Sequence, residues 1–297
     1  MQPASGDPGQ SPGNGSRVEY AIEGGSEMDP GIHEIETSLR IRLDSGDAFL
    51  EQHQPSSEEG GEPLGTFKTL LPAELLSRLR AALSDATLWS LPTSTGGGPG
   101  SSLIRVRMSS DGVARELQVP SRDIDALGKI DPVLEILNDA VTETKAHPFQ
   151  AVRLIVRSQS PIGRHSPTFA ISVKNVGTET VAVPDLKVFG GDVDEHAERD
   201  LTLRVAAYPE ERPGYTASPL VWERVAFATP GAAPVLSLLA PGQEAIRERI
   251  VWKPSHPGER HLAQAGFAFY GGPPVVEGHL VIKGRALSEA VEVTSPK

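Results

Sequence analysis

The stretch FAISVKNVGTETVAV, residues 169–183, decides how the second half of the chain is built. Phe169, Ile171 and Val173 alternate with small or polar residues, which is the two-residue period of a strand with one buried face. The alternation resumes at Val181, after a turn rich in Asn, Gly and Thr. This pattern predicts two consecutive strands of a β-sandwich, and it contains no recognisable catalytic motif.

The same pattern of short strands and turns continues on both sides of this stretch. Short apolar runs recur between turns rich in Pro and Gly, and no run with a helical period interrupts them. The predicted strands are residues 151–157, 168–174, 180–189, 201–207, 220–228, 235–239, 245–252, 262–269, 275–283 and 287–293. Regular short strands of this kind are typical of a sandwich, and residues 149–297 have the length of one large sandwich domain.

Three segments of this half resemble a known group of domains: FAISVKNVGTETVAV (169–183), LAPGQEAIRERIVWKP (239–254) and HPGERHLAQAGFAFY (256–270). They are similar to the immunoglobulin-like domains of bacterial envelope proteins and to the intracellular proteinase inhibitor family. The resemblance implies an all-β immunoglobulin-like sandwich. Its motifs are structural, and no inhibitory residue of that family aligns with a residue of this chain.

The first half has a mixed pattern. Residues 33–50 predict a strand and a turn, and a short strand is expected at 66–69. Helices are predicted at 72–89 and 131–144 from apolar residues spaced three and four apart. Between them, Asp111-Gly112 separates two alternating runs, which predicts a hairpin. Residues 33–148 are therefore expected to form an α+β domain, loosely similar to small domains of bacterial secreted proteins.

The first 32 residues are expected to be a disordered tether or tail. MQPASGDPGQSPGNGS, residues 1–16, has almost no apolar side chain, so it cannot offset the entropy of ordering. Its composition is similar to the tether of bacterial lipoproteins, but Met1 stands where the acylated Cys would be. A trimmed envelope protein and a cytoplasmic protein with a plain tail both fit, so the localisation stays open between cell envelope or periplasm and cytoplasm.

The charge distribution and composition of the chain exclude several classes of binding partner and chemistry. Residues 1–148 hold 12 Lys and Arg against 23 Asp and Glu, and residues 149–297 hold 16 against 16. An acidic half and a neutral half without a basic stripe argue against nucleic-acid binding. There is no Cys, which excludes disulfides and thiolate chemistry. No apolar run approaches the roughly 18 residues of a membrane span, and no signal peptide is visible.

The sequence contains few candidates for catalytic or metal-binding residues. The loop TGGGPGSS, residues 95–102, lacks the Lys of a phosphate-binding loop. Asp192, Asp194 and His196 lie in an acidic loop that could supply metal ligands, but its spacing does not match a calcium-binding loop, and a solvated loop is favoured. There is no GxSxG motif. We therefore expect no catalytic residue, no metal and no cofactor.

One loop is the best candidate for binding a partner. AYPEERPGYTASPL, residues 207–220, contains Tyr208, Arg212 and Tyr215 between prolines that limit its freedom. Tyr and Arg are the residue types that dominate interface hot spots. An ordinary hairpin loop is the alternative.

The sequence therefore favours a non-catalytic binding or structural protein that uses an immunoglobulin-like sandwich as its interaction module, with an unidentified protein as partner. Two alternatives stay open. One is a role similar to that of a protease inhibitor, which would need a protruding rigid loop. The other is a hydrolase with a site between the two domains, which would need titratable groups in a deep pocket.

Overall fold

The chain is mostly β-strand in the residues that the structure describes. A computed structural model describes residues 15–25, 33–54, 60–91, 102–110, 112–159, 166–187, 199–209, 220–226, 235–254 and 258–295. Two compact units are present. The first comprises Met1–Leu50 and Thr69–Thr144, and the second comprises Glu51–Lys68 and Lys145–Lys297. The hairpin segment 51–68 thus belongs with the second half of the chain.

The first half of the chain contains six strands and two helices in its described residues. They are β1 (Arg17–Gly25), β2 (His33–Arg42), β3 (Asp47–Gln52), β4 (Leu64–Leu70), α1 (Ala73–Ser84), β5 (Leu103–Ser110), β6 (Val113–Pro120) and α2 (Ile124–Lys145). The predicted hairpin on either side of Gly112 is confirmed as β5 and β6. Strand order in the first unit is β2-β1-β5-β6, with every neighbour antiparallel.

Strand β1 lies in the segment that the sequence placed in a disordered tail. It pairs with β2 on one side and β5 on the other, so that Tyr20 faces both Leu39 and Val106. Val18 and Tyr20 are fully buried. The segment RVEYAIEGG has few apolar residues and adjoins a Gly- and Ser-rich tail, so its alternation is weak. Its partners in space, which supply the buried surface, are distant in sequence.

Both predicted helices exist, but with different ends. Helix α1 stops at Ser84, before a short 3₁₀ turn at Leu88–Ser90, because the Asp85 carboxylate accepts bonds from the Thr87 amide (2.9 Å) and hydroxyl (2.7 Å). Helix α2 starts at Ile124, where Asp123 caps it by accepting a bond from the Ala126 amide (3.0 Å). Pro132 therefore lies inside the helix.

The second half of the chain contains short strands throughout its described residues. They are β7 (Pro148–Gln159), β8 (Thr168–Asn175), β9 (Val181–Pro184), β10 (Arg199–Ala207), β11 (Glu223–Val225), β12 (Leu236–Leu239), β13 (Glu244–Val251), β14 (Arg260–Phe269), β15 (Val275–Val276), β16 (His279–Leu280), β17 (Gly284–Leu287) and β18 (Val291–Thr294). Each predicted strand has a counterpart. The predicted strand 275–283 is divided, because Glu277 and Gly278 both adopt positive φ and form a turn.

Two ladders of the second unit pack around one hydrophobic core. One has the order β13-β8-β7-β4, and the other has the order β11-β10-β14-β17, with β18 also paired to β14. Their alternate residues meet in a single buried cluster that includes Leu154, Phe169, Ile171, Leu203 and Phe267. The alternation noted in FAISVKN therefore marks the buried face of β8.

The turn after β8 is held by one buried side chain. Asn175 donates to the carbonyl oxygens of Glu179 and Leu239, both at 2.8 Å, and accepts a bond from the Gly177 amide at 2.9 Å. All of its hydrogen-bonding groups are thus directed into the turn and into the end of β12. A Cβ at Gly177 would lie 2.4 Å from the Phe149 carbonyl oxygen, so only glycine fits there.

Candidate functional site

The residues that the sequence proposed for binding are only partly within the described chain. Tyr208 directly follows β10. Arg212 and Tyr215 lie outside the described residues, as do the metal candidates Asp192, Asp194 and His196. Within the described ranges, no group of three His, Asp or Glu side chains is placed to hold a metal ion.

Tyr208 belongs to a larger surface, the side of β10 and β14 that faces away from the core. Successive strand residues point to opposite faces, so burial of Leu203 and Ala265 in the core puts Arg204 and Gln264 on the other side. The pairing of β11, β17 and β18 extends this side. We call it the outer face, and it comprises Asp200, Thr202, Arg204, Tyr208, Trp222, Arg224, Arg260, Gln264, Arg285 and Glu292.

The centre of the outer face is a stack of Arg204 on Trp222. The guanidinium carbon lies 4.6 Å from the centre of the indole ring. Nε of Arg204 donates to Oε1 of Gln264 (2.9 Å), and Nε2 of Gln264 donates to the Ser288 carbonyl oxygen (2.8 Å). Gln264 is only 1% exposed. The stack is therefore anchored through a buried amide to the backbone, which fixes the orientation of the arginine.

A second stack lies at the end of β10. The Arg260 guanidinium lies 3.9 Å from the centre of the Tyr208 ring, and the Tyr208 amide donates to the Arg260 carbonyl oxygen at 3.0 Å. Arg260 also donates hydrogen bonds to the Glu292 carboxylate, from Nε to Oε1 (2.7 Å) and from Nη2 to Oε2 (2.9 Å). The hydrogen bonds from Arg260 hold the pKa of Glu292 below its usual range. Tyr208 is thus ordered by contacts within the sheet.

A third arginine sits directly opposite the first. Cross-strand register pairs Arg204 with Arg224, and Nη2 of Arg224 bonds both carboxylate oxygens of Asp200 at 2.8 and 2.7 Å. Like charges directly opposite each other on neighbouring strands are unfavourable. The ring under Arg204 and the carboxylate beside Arg224 compensate for this arrangement. Each arginine thus has its own partners on the outer face: Trp222 and Gln264 for Arg204, and Asp200 for Arg224.

Two grooves are less suited to a functional role. One, of about 340 Å³ in the first unit, is lined by Leu43, Leu83, Met108 and Arg80, but Arg80 donates to the carbonyl oxygens of Leu43 and Asp44. The other, of about 660 Å³, lies beside β12 and β13 in the second unit. There, Arg247 bonds the carbonyl oxygen of Lys187. Arg80 and Arg247, the arginines of the two grooves, are thus already engaged by backbone carbonyl groups.

The sequence favoured a core position for Trp222, which was wrong because its ring is half-buried under Arg204, and it did not single out Arg204, Arg224 or Arg260. The alternation in RVAAY and VWERVAF was visible, and it places Arg204 and Trp222 on the polar side of their strands. Which strands would lie next to each other was not visible. The grouping of four arginines with Tyr208 and Trp222 depends on that adjacency.

Comparison with known proteins gives no family for this chain: no protein-family model matches it, and no curated protein matches it. None of the helices in the described ranges is long and apolar enough to cross a bilayer. Chemically, the outer face offers aromatic surface, guanidinium donors and fixed carboxylates. Such a surface is suited to non-covalent recognition.

Proposed function

We propose that this chain is a non-catalytic binding protein, in which an α+β domain precedes an immunoglobulin-like β-sandwich whose outer face receives a protein partner. The observation that carries the proposal is the pair of arginine–aromatic stacks, Arg204 on Trp222 and Arg260 on Tyr208, on one sheet face. The sandwich assignment is supported by the two ladders that share one core.

The residue types on the outer face, and the fact that their side chains are already held in place, both favour a binding interface. Trp, Tyr and Arg are the residues most enriched in interface hot spots, because they combine a large contact area with directed donors. Their side chains are held by Gln264, Asp200 and Glu292. A side chain that is already ordered loses less conformational entropy on binding, at about 0.5–1.5 kcal/mol for each one that would otherwise be immobilised.

The test is capture of a partner with matched variants of the full chain. The double variant Tyr208→Ala, Trp222→Ala removes both rings from the outer face. The control, Lys174→Ala with Val251→Ala, removes two exposed side chains from β8 and β13 of the other ladder. Any partner recovered by the wild type should bind the first variant at least about tenfold more weakly and the control equally well.

Each outcome decides the proposal. Equal capture by the wild type and the ring variant would show that the outer face is not the interface. Loss of capture by both variants would point to a different surface or to general destabilisation, which a thermal melt of each variant separates. A partner turned over by the wild type would contradict the non-catalytic assignment.

A further inference from the structure

We propose that Gly60 is a positioning residue of the outer face, because its backbone closes over the hydrogen bond that holds Arg204 on Trp222. The effect on binding rests on the proposed function. Gly60 and Gly61 belong to the same unit as the outer face, although they are distant from it in sequence. Neither glycine has a side chain that a partner could contact, so this turn acts through the residues that it covers.

Gly60 lies directly against the anchor of the central stack. Nε2 of Gln264 donates to the Ser288 carbonyl oxygen at 2.8 Å. A Cβ added to Gly60 would lie 2.0 Å from that oxygen and 2.9 Å from Nε2. Gly60 thus covers both atoms of one hydrogen bond, and a larger residue would have to displace the backbone of Ser288.

The Ser288 carbonyl group is fixed from two sides. On one side, the Ser288 amide donates to the Ala265 carbonyl oxygen, and Oγ of Ser288 accepts a bond from the Ala265 amide, both at 2.9 Å. On the other side lies the turn, where the buried Gly61 donates its amide to the Leu287 carbonyl oxygen at 2.8 Å. Displacement of the turn therefore disturbs the acceptor on which Gln264 depends.

The Gln264 side chain carries this order to the surface. While Nε2 donates to Ser288, Oε1 accepts a bond from Nε of Arg204 at 2.9 Å. Gln264 is 1% exposed, so it acts on a partner only through Arg204, whose guanidinium lies 4.6 Å from the centre of the Trp222 ring. An arginine released from this anchor would lose more conformational entropy on binding.

The experiment measures acrylamide quenching of Trp222 fluorescence in the full chain. A Trp89→Phe background removes the other half-buried indole, and the buried Trp252 is protected from the quencher. Gly60→Ala should raise the Stern–Volmer constant towards that of Arg204→Ala, in which the guanidinium over the ring is absent. Any partner recovered by the wild type should bind Gly60→Ala roughly twofold to tenfold more weakly, as expected when one more side chain must be ordered.

Gly242→Ala is the matched control. Gly60 and Gly242 both have φ of 80°, so alanine is equally strained at either position. A Cβ on Gly242 would meet no described atom within 4 Å, whereas one on Gly60 meets the Ser288 backbone. Gly242→Ala should therefore leave the quenching of Trp222 unchanged.

Gly61→Ala is a milder variant of the same turn. Its Cβ would lie 2.4 Å from Cγ of Glu289, a flexible side chain that can move aside. This variant should fold and should raise the quenching constant less than Gly60→Ala does. If Gly60→Ala does not fold, unchanged quenching in Gly61→Ala overturns the inference.

A double-variant cycle tests the route through Gln264. Gln264→Leu removes the amide and should increase the quenching as Gly60→Ala does. The two substitutions together should give no further increase, because both act on the same hydrogen bond. Additive increases would overturn this route.

Three further outcomes overturn the inference. Unchanged quenching in Gly60→Ala would show that the turn does not position Arg204. An equal increase in Gly242→Ala would assign the effect to backbone strain in general. An increase that follows the unfolded fraction, measured by a thermal melt of each variant, would assign it to loss of stability.

Failure here is distinguishable from failure of the proposed function, because the quenching measurement needs no partner. If Gly60→Ala raises the quenching while the ring variant Tyr208→Ala, Trp222→Ala captures the partner normally, the positioning is real and the outer face is not the interface. If the ring variant loses the partner while Gly60→Ala changes neither quenching nor capture, the outer face is the interface and the turn does not position it.

Discussion

Two tryptophans of the second unit show how one residue type serves two purposes. Trp252, directly after β13, is 8% exposed and packs edge-on against His261, with ring centres 4.7 Å apart, and near Phe169. Trp222, directly before β11, is half-buried and lies under Arg204. Both lie at strand ends in apolar runs. The face of the sheet, and not the residue type, decides whether the ring contributes to the core or to the outer face.

The largest expected difference is in stability. Trp252→Ala should lower the free energy of unfolding by about 3–5 kcal/mol, because it removes a large buried ring from the core. Trp222→Ala should cost at most about 1–2 kcal/mol, since its ring is half solvated and its main contact is one cation–π pair. Urea unfolding of both variants measures the contrast. Equal losses would mean that Trp222 is a core residue.

Substitutions at Asn175 measure how much buried hydrogen bonds contribute to the free energy of unfolding. Asn175→Ala leaves the carbonyl oxygens of Glu179 and Leu239 without their buried donor, and we expect a loss of about 2–4 kcal/mol. Asn175→Asp retains the acceptor for the Gly177 amide but loses both donated bonds, so it should be destabilised as well. A chemical unfolding curve with an unchanged midpoint for Asn175→Ala would refute this role.

Burial also predicts a pH dependence in the first unit. Desolvation raises the pKa of Tyr20 to about 12. Because the folded pKa is above that of the unfolded chain, the resulting stability is complete below about pH 10 and is lost as the pH rises towards 12. The loss should amount to about 2 kcal/mol. Ultraviolet absorbance of tyrosinate and unfolding curves at alkaline pH measure it.

Tyr20→Phe provides the control for this pH dependence. It removes the titrating group and the 3.3 Å bond to Asn138, and its stability should stay flat over the same alkaline interval. If Tyr20→Phe loses stability between pH 10 and 12 as steeply as the wild type, another group is responsible.

The smallest effect on stability is expected for the Arg157–Glu244 pair, which lies on strands β7 and β13 of the ladder that does not carry the outer face. The hydrogen bonds from Arg157 hold the pKa of Glu244 below its usual range. This stabilisation is present above the ordinary pKa of glutamate and is lost as the pH falls through the lowered pKa. Arg157 is 47% exposed, so water screens the pair, and its contribution should not exceed about 1 kcal/mol.

Glu244→Gln tests this pair. Its stability should fall less than that of the wild type on acidification, while both proteins differ little at neutral pH. A variant that loses stability in acid in parallel with the wild type would show that the Arg157–Glu244 pair contributes nothing measurable. The same measurement made with Glu292→Gln would show whether the outer face behaves as this surface does.

Local patterns were a good guide wherever the decisive contacts are close in sequence. The Gly112 hairpin and the buried face of α1 at Leu75, Leu76, Leu79 and Leu83 follow from turn chemistry and helical spacing. Predictions failed where a distant partner or a side-chain bond decides. Strand β1 depends on β2 and β5, and the start of α2 depends on the Asp123 cap. The choice of Tyr208 as a binding residue stays a prediction.

The amino-acid sequence by itself determined the β-rich character of the chain, the alternation that defines buried strand faces and the turns between strands, because period and turn chemistry act over a few residues. Only the tertiary structure decided that Arg204 lies opposite Arg224, and that Arg260 and Tyr208 share their surface with Trp222. Strand order and register join residues that are distant in sequence. They are set by burial of the opposite face in a common core, which no local pattern encodes.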